Sequence, residues 1–262
     1  MIQGIDHLVI VCADPDAAAA DLESSVGLVA SGGGRHAGMG TFNRIAWLAD
    51  GSYLELIGID DAEAARSSAV GSAALATIES TGEGLVTWAL RVDDLELTVA
   101  SLPEGSFGPV LHGSRTRPDG EAVEWWTAMP DTPLAPDATP FLIQHAYVGT
   151  EWGHTALADR AAFQHPIGSP VGLARLDLAA TDPPGRAATF HEHLGIDVWA
   201  VADLAVAEIG RHVVRFVPRR EMAVPAVVTL AADIESPRTA ELLGLGFEVE
   251  RAELLVPEPH RP

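Results

Sequence analysis

The sequence predicts an α+β protein made of repeated small modules around a ligand cavity, and three observations carry that expectation. An apolar strand, a helix start and returning strands recur along the chain, with copies beginning at Ile5, Leu85, Leu173 and Ala226. Asp-Pro opens a helix at Asp14-Pro15 and again at Asp182-Pro183, an acidic cap followed by a proline at the first helical position. Asp50-Gly51 and Asp119-Gly120 are turn signals between strands. A module of this size cannot bury a sheet face alone, so pairing two of them encloses apolar side chains and leaves a concave interior.

In the first copy, residues 5–11 read as a buried strand in which His7, Val9 and Val11 share one face and Leu8 and Ile10 the other. Ala18, Leu22 and Val26 lie at helical spacing, and Gly27 offers a stop. A Gly-rich stretch, 32–40, leads into a strand from Asn43 to Leu48. After the Asp50-Gly51 turn comes a strand in which Tyr53, Glu55 and Ile57 face one way. Residues 61–83 read as an Ala-rich linker helix. The second copy runs from Leu85 through Asp93-Asp94, a strand at 123–129 and a last strand at 141–145. The third has its strand at 173–178 and a return at 213–217. In the fourth, Ser236-Pro237 reads as a helix start before Leu242-Leu243-Gly244 and a last strand near Phe247. The expected division is 1–150 and a shorter, related unit at 171–262, with 149–170 as connector.

Composition excludes more than it identifies. Sixteen basic residues against thirty-seven acidic ones give a formal charge of −21, which repels phosphate backbones and anionic membranes, so neither nucleic acid nor membrane is expected as a partner. All sixteen are Arg. The absence of Lys removes Schiff-base chemistry, pyridoxal-phosphate anchoring and the phosphate-loop lysine together. The single cysteine, Cys12, reads as a small buried residue at a strand end. The first residues pass straight into a strand pattern without a signal core, and no apolar run approaches the roughly 18 residues of a membrane helix, so a cytoplasmic location is expected.

Ile5-Asp6-His7-Leu8-Val9, Asp14-Pro15, the 32–43 stretch and Tyr53-Leu54-Glu55-Leu56-Ile57 together resemble the glyoxalase-like branch of the vicinal oxygen chelate superfamily. The resemblance covers the first module closely and the second in outline. It implies βαβββ modules forming curved mixed sheets around a cavity, with reduced modules in the C-terminal part. It also implies a divalent metal such as Zn, Mn, Ni or Fe that chelates neighbouring substrate oxygens. By the resemblance His7 and Glu55 take the first-strand and last-strand ligand positions of module one. In module two the matching places fall at Trp88 and Ile143, and in the third copy Arg175 stands opposite His7, so a set of four side-chain ligands is incomplete.

His7 and Glu55 are therefore the candidate catalytic residues and the candidate metal ligands. Two ligands rarely hold a metal without further donors, so a metal-free hydrogen-bonded pair stands beside the metal reading. Without metal, Glu55 reads as a general base with His7 orienting it or relaying a proton. The 33–43 stretch is either a ligand lid contributing Arg35, His36 or Asn43, or a plain strand connection. Trp88 and Trp125 are candidates for an aromatic cavity wall, with core packing as the alternative. His145, His154 and His165 match no zinc spacing and read as ordinary surface or local hydrogen-bonding residues. The run Arg211, Arg215, Arg219 and Arg220 reads as an intramolecular or subunit contact. The leading expectation is an enzyme performing lyase or isomerase chemistry on a small organic molecule, in a chain that can form a homodimer. The alternative is a non-catalytic binding or sequestration protein using the same cavity.

Overall fold

A computed structural model describes residues 1–117 and 119–252; the last residues of the expected C-terminal unit, 253–262, lie outside the described part. The first module contains β1 (Ile2–Val11), α1 (Pro15–Val26), β2 (Ser31–His36), β3 (Thr41–Trp47) and β4 (Tyr53–Ile59). Two linker helices follow, α2 (Ala62–Arg66) and α3 (Ala69–Thr81). The second module comprises β5 (Gly84–Val92), α4 (Leu95–Ser101), β6 (Leu111–Thr116), β7 (Ala122–Ala128) and β8 (Phe141–His145). Short helices α5 (Gly149–Trp152) and α6 (His154–Ala161) occupy the expected connector. Beyond them lie β9 (Gly172–Ala180), α7 (Pro183–Leu194), β10 (Val198–Val201), β11 (Leu204–Ile209), β12 (His212–Pro218), β13 (Ala226–Ala232), β14 (Arg238–Leu242) and β15 (Leu245–Arg251).

The same aspartate device opens the helix of three modules. Asp14 accepts from the N–H groups of Asp16 and Ala17, Asp94 from Leu97 and Asp182 from Gly185, satisfying backbone donors that a helix start leaves free. The expected single linker helix is broken at Ser67-Ser68, where Ser68 caps α3 by accepting from Gly71. The fourth module departs from the sequence reading, because Ser236-Pro237 starts no helix. The five residues before Leu243-Gly244 are too few for a stable helix. Leu243 (φ 55°) and Gly244 (φ 66°) both adopt the left-handed conformation of a two-residue hairpin turn, so Arg238–Leu242 becomes a strand paired with β15.

The first eight strands form a closed barrel in the order β1-β4-β3-β2-β6-β7-β8-β5, and the other seven form an open sheet, β10-β11-β12-β9-β13-β15-β14. Closure of the barrel rests on a short β2–β6 pairing of Arg35 with Thr116 and His36 with Arg115. One apolar layer fills the space between barrel and open sheet, with Leu8, Ile10 and Trp88 from the barrel meeting Leu178, Phe190 and Phe216. Polar bonds fix their relative placement. His212 Nδ1 accepts from the Ile5 N–H at 2.9 Å, so its Nε2 carries the proton and donates to Asp50, whose carboxylate also accepts from the N–H of Leu173. Among the described residues no helix is long and apolar enough to cross a membrane. Arg215 and Arg220 of the C-terminal basic run pair within the chain, with Asp177 and Asp203.

Candidate active site

The barrel interior holds a cavity of about 740 Å³ of empty space, its mouth included. Strand alternation supplies its walls: His7 and Val9 from β1, Tyr53, Glu55 and Ile57 from β4, and Phe141, Ile143 and His145 from β8 all point inward. Ser68, Val70 and Gly71 of the linker cover one side. The parallel β1–β4 pairing sets Val9 opposite Glu55 and His7 opposite Tyr53, which brings His7 Nε2 to 3.6 Å from Glu55 Oε2.

The 33–43 stretch is a β-hairpin within the barrel wall rather than a separate lid. Gly33 lies so close to the Asn43 carbonyl that a side chain there has no room. His36 and Asn43 line the cavity, whereas Arg35 does not. Pairing with Phe42 turns Arg35 to the outer surface, where it bonds Asp60 and lies over the Phe42 ring. Trp125 also lines the cavity, its ring edge-on to His36 at 5.9 Å.

Trp88 corrects a second expectation. It pairs with the outward-facing Leu8, stacks on Phe190 at 5.9 Å and donates its indole N–H to the Pro136 carbonyl, all outside the cavity. The inward counterpart of His7 in module two is Ala89, since Ala89 pairs with Phe141 as His7 pairs with Tyr53. Ile143 is the counterpart of Glu55, as the sequence reading had it. Cys12 is buried, and burial together with nearby Glu83 and Asp14 pushes its thiol up to about 12, which removes it as a nucleophile.

Around Glu55 the hydrogen bonds fix proton positions. Asn43 Oδ1 accepts from the Gly34 N–H at 2.9 Å, so its amide nitrogen is the atom that donates to Glu55 Oε1 at 2.6 Å. That nitrogen also lies 3.2 Å from His36 Nε2, while His36 Nδ1 meets the Thr41 hydroxyl at 2.6 Å. Burial alone raises the Glu55 carboxyl. The His36 contact, the His7 ring and the Asn43 amide outweigh it and bring the pKa down to about 2. A lowered folded-state pKa stabilises the fold fully above the ordinary value of about 4.5, and that stability is lost as pH falls toward about 2. Glu55→Gln removes this ionisation, so urea unfolding across a pH series is expected to show a steeper decline in that window for the wild type than for the variant.

The arrangement the sequence reading missed lies behind His7. Asp6, fully buried, accepts on Oδ1 from His7 Nδ1 at 2.8 Å and from His145 Nε2 at 3.0 Å. The two imidazoles outweigh burial and hold the Asp6 carboxyl far below the usual carboxylate range. An ionised carboxylate only accepts, so both imidazoles donate to it, and the distal nitrogen of each is the one left to gain or lose a proton. Tyr53 stacks on His7 at 4.6 Å and Trp152 on His145 at 3.7 Å, locking the ring planes. His145 is therefore a buried cavity residue, not a surface one, whereas His165 does serve local bonds, to the Trp47 carbonyl and the Val29 N–H.

The metal implied by the resemblance does not fit this donor set. Among the described residues no three of His, Cys, Asp and Glu are arranged to hold an ion. The Asn43 amide presents hydrogens between Glu55 and His36, where a cation needs lone pairs.

A family model described as a glyoxalase-like domain matches residues 5–194. No curated protein matches the sequence. Among solved structures, a hypothetical protein from Staphylococcus aureus aligns with a TM-score of 0.76 at 15% identity, covering 96% of this chain and 100% of that one. A methylmalonyl-CoA epimerase from Streptomyces coelicolor, in complex with 2-nitronate-propionyl-CoA, aligns at 22% identity and TM-score 0.40 over 56% of this chain and 99% of its own. The epimerase from Mycobacterium tuberculosis gives 18% identity and TM-score 0.41 over 55% and 89%. The first likeness extends over the whole chain and describes its fold. With the family model spanning both barrel modules and continuing through α7, the chain belongs to the glyoxalase-like domain family.

Proposed function

We propose that this protein is a small-molecule enzyme of lyase or isomerase type in which His7, rather than Glu55, carries the proton. The observation that supports this most is the Asp6–His7 hydrogen bond of 2.8 Å, which fixes the Nδ1–H tautomer and leaves His7 Nε2 as a proton acceptor at the cavity. Glu55, ionised down to about pH 2, is a weak base; beside His7 it stabilises the imidazolium that forms when Nε2 takes a proton from substrate. The substrate is left with the electron pair of its broken C–H bond. Return of the proton to the same carbon gives exchange, return to another gives isomerisation, and loss of a neighbouring leaving group gives elimination.

The barrel of 1–150 carries this chemistry in our reading, and the described residues of the shorter unit cover its outer apolar face. The test is deuterium incorporation from D₂O into a panel of small carbonyl compounds with acidic C–H bonds, followed by NMR. Incorporation is expected with the wild type and not with His7→Gln. The apolar wall of Val9, Ile57, Phe141 and Ile143 supports a second reading, passive binding, under which ligands bind without exchange. A divalent ion is expected at most as a weak, exchangeable guest at His7 and Glu55, removed by extensive dialysis and checked by elemental analysis.

A further inference from the structure

We propose that the cavity selects a ligand with an aromatic body and a neutral or cationic hydrogen-bond-donating head, and rejects ligands that carry a carboxylate or phosphate. This deepens the preceding reading of the same site and rests on it for the ionised Glu55 beside His7.

An anion needs a free cation or a set of unused N–H donors. The chain has no Lys, and among the described residues Arg115 is the single arginine in the cavity wall. Arg115 is 4% exposed and is already engaged, by the Glu151 carboxylate and by the Gly33 carbonyl at 3.1 Å. Arg35 and Arg44, the arginines of the hairpin strands, are committed to Asp60 and Asp16 on the outer side of the wall. The Asn43 amide, which an anion would use as a donor, is spent on Glu55 at 2.6 Å. What the polar end offers instead is an acceptor. Glu55 is a buried anion, and a second carboxylate or a phosphate placed there meets like charge.

The remaining wall favours flat, polarizable ligands. Trp47, Tyr53, Trp125, Phe141 and Trp152 contribute rings to one cavity, and aromatic faces attract both other rings and organic cations. A hydroxyl or ammonium group on such a ring donates to Glu55 while the ring packs among these side chains.

Four matched probes separate the possibilities: benzyl alcohol, benzylamine (an ammonium at neutral pH), benzoate and phenyl phosphate, titrated against the full chain by tryptophan fluorescence and calorimetry. The alcohol and the amine are expected to bind at least tenfold more tightly than either anion. Glu55→Gln is expected to narrow the gap between amine and benzoate by tenfold or more, because the like charge is gone. Should that variant fail to fold, the wild-type ranking still decides. Benzoate or phenyl phosphate binding as tightly as the neutral and cationic probes overturns the proposal, and so does the failure of all four to bind at millimolar concentration. The expected ranking without deuterium exchange on any carbonyl compound sinks the acid/base reading and leaves the charge selectivity standing.

Discussion

His7→Gln is expected to lower proton exchange by about 10²–10⁴-fold, the range that a positioned acid/base group contributes. The amide keeps much of the volume and polarity of the imidazole, so the cavity wall keeps its shape beside Tyr53 while the proton-accepting nitrogen is lost. Asp6→Asn provides the companion test of a positioning role. Asn can present an N–H to the imidazole and so favour the tautomer whose Nε2 carries the proton, the wrong state for accepting one. The loss is expected in kcat with KM little changed, because Asp6 sits behind the ring and does not line the cavity. Equal loss in binding and turnover, or a His7→Gln protein that exchanges at the wild-type rate, removes His7 as the proton carrier.

Arg115→Ala is expected to destabilise the fold by about 3 kcal/mol, the lower end of the range for breaking a buried ion pair from one side. Arg115 and Glu151 are 4% and 8% exposed, and truncating the arginine leaves the Glu151 carboxylate with Arg117, at 3.6 Å, and the charge of nearby Arg160 for compensation. Those remaining charges are why the lower end of the range applies. Replacing both partners, Arg115→Met with Glu151→Leu, is expected to restore most of the loss, since apolar residues of similar volume need no partner. Urea unfolding of the three proteins checks both statements. A single variant as stable as the wild type shows that water reaches Glu151 and that the α5 segment is not sealed against the barrel.

Period-two alternation made part of the site legible before any coordinates. It put His7 with Val9, and Glu55 with Tyr53 and Ile57, and each set does face the cavity. The same rule, carried along β8, sets Phe141, Ile143 and His145 on one face, whereas the sequence spacing groups His145 with the scattered His154 and His165. Asp6 was not legible in this way. Alternation assigns it to the face opposite His7, but the β1–β5 register slips between Ile5 and His7, and an extra residue in a strand re-aims the side chains around it. Arg35 and Trp88 failed for a related reason, because the face each presents depends on its strand partner, Phe42 in one case and Leu8 in the other.

The sequence by itself determined the local elements: the aspartate-capped helices, the Asp50-Gly51 turn, the alternating strands and the repeat of modules. These depend on residues a few positions apart, whose conformational preferences act whatever surrounds them. Only the tertiary structure decided that the first eight strands close into a barrel and that the fourth module exchanges its helix for a hairpin strand. It alone joined Asp6 to His145 across 139 residues, and Arg115 to Glu151. Each of these follows from pairing between distant strands, where burial and the need to satisfy every enclosed polar group override what a short stretch of chain prefers.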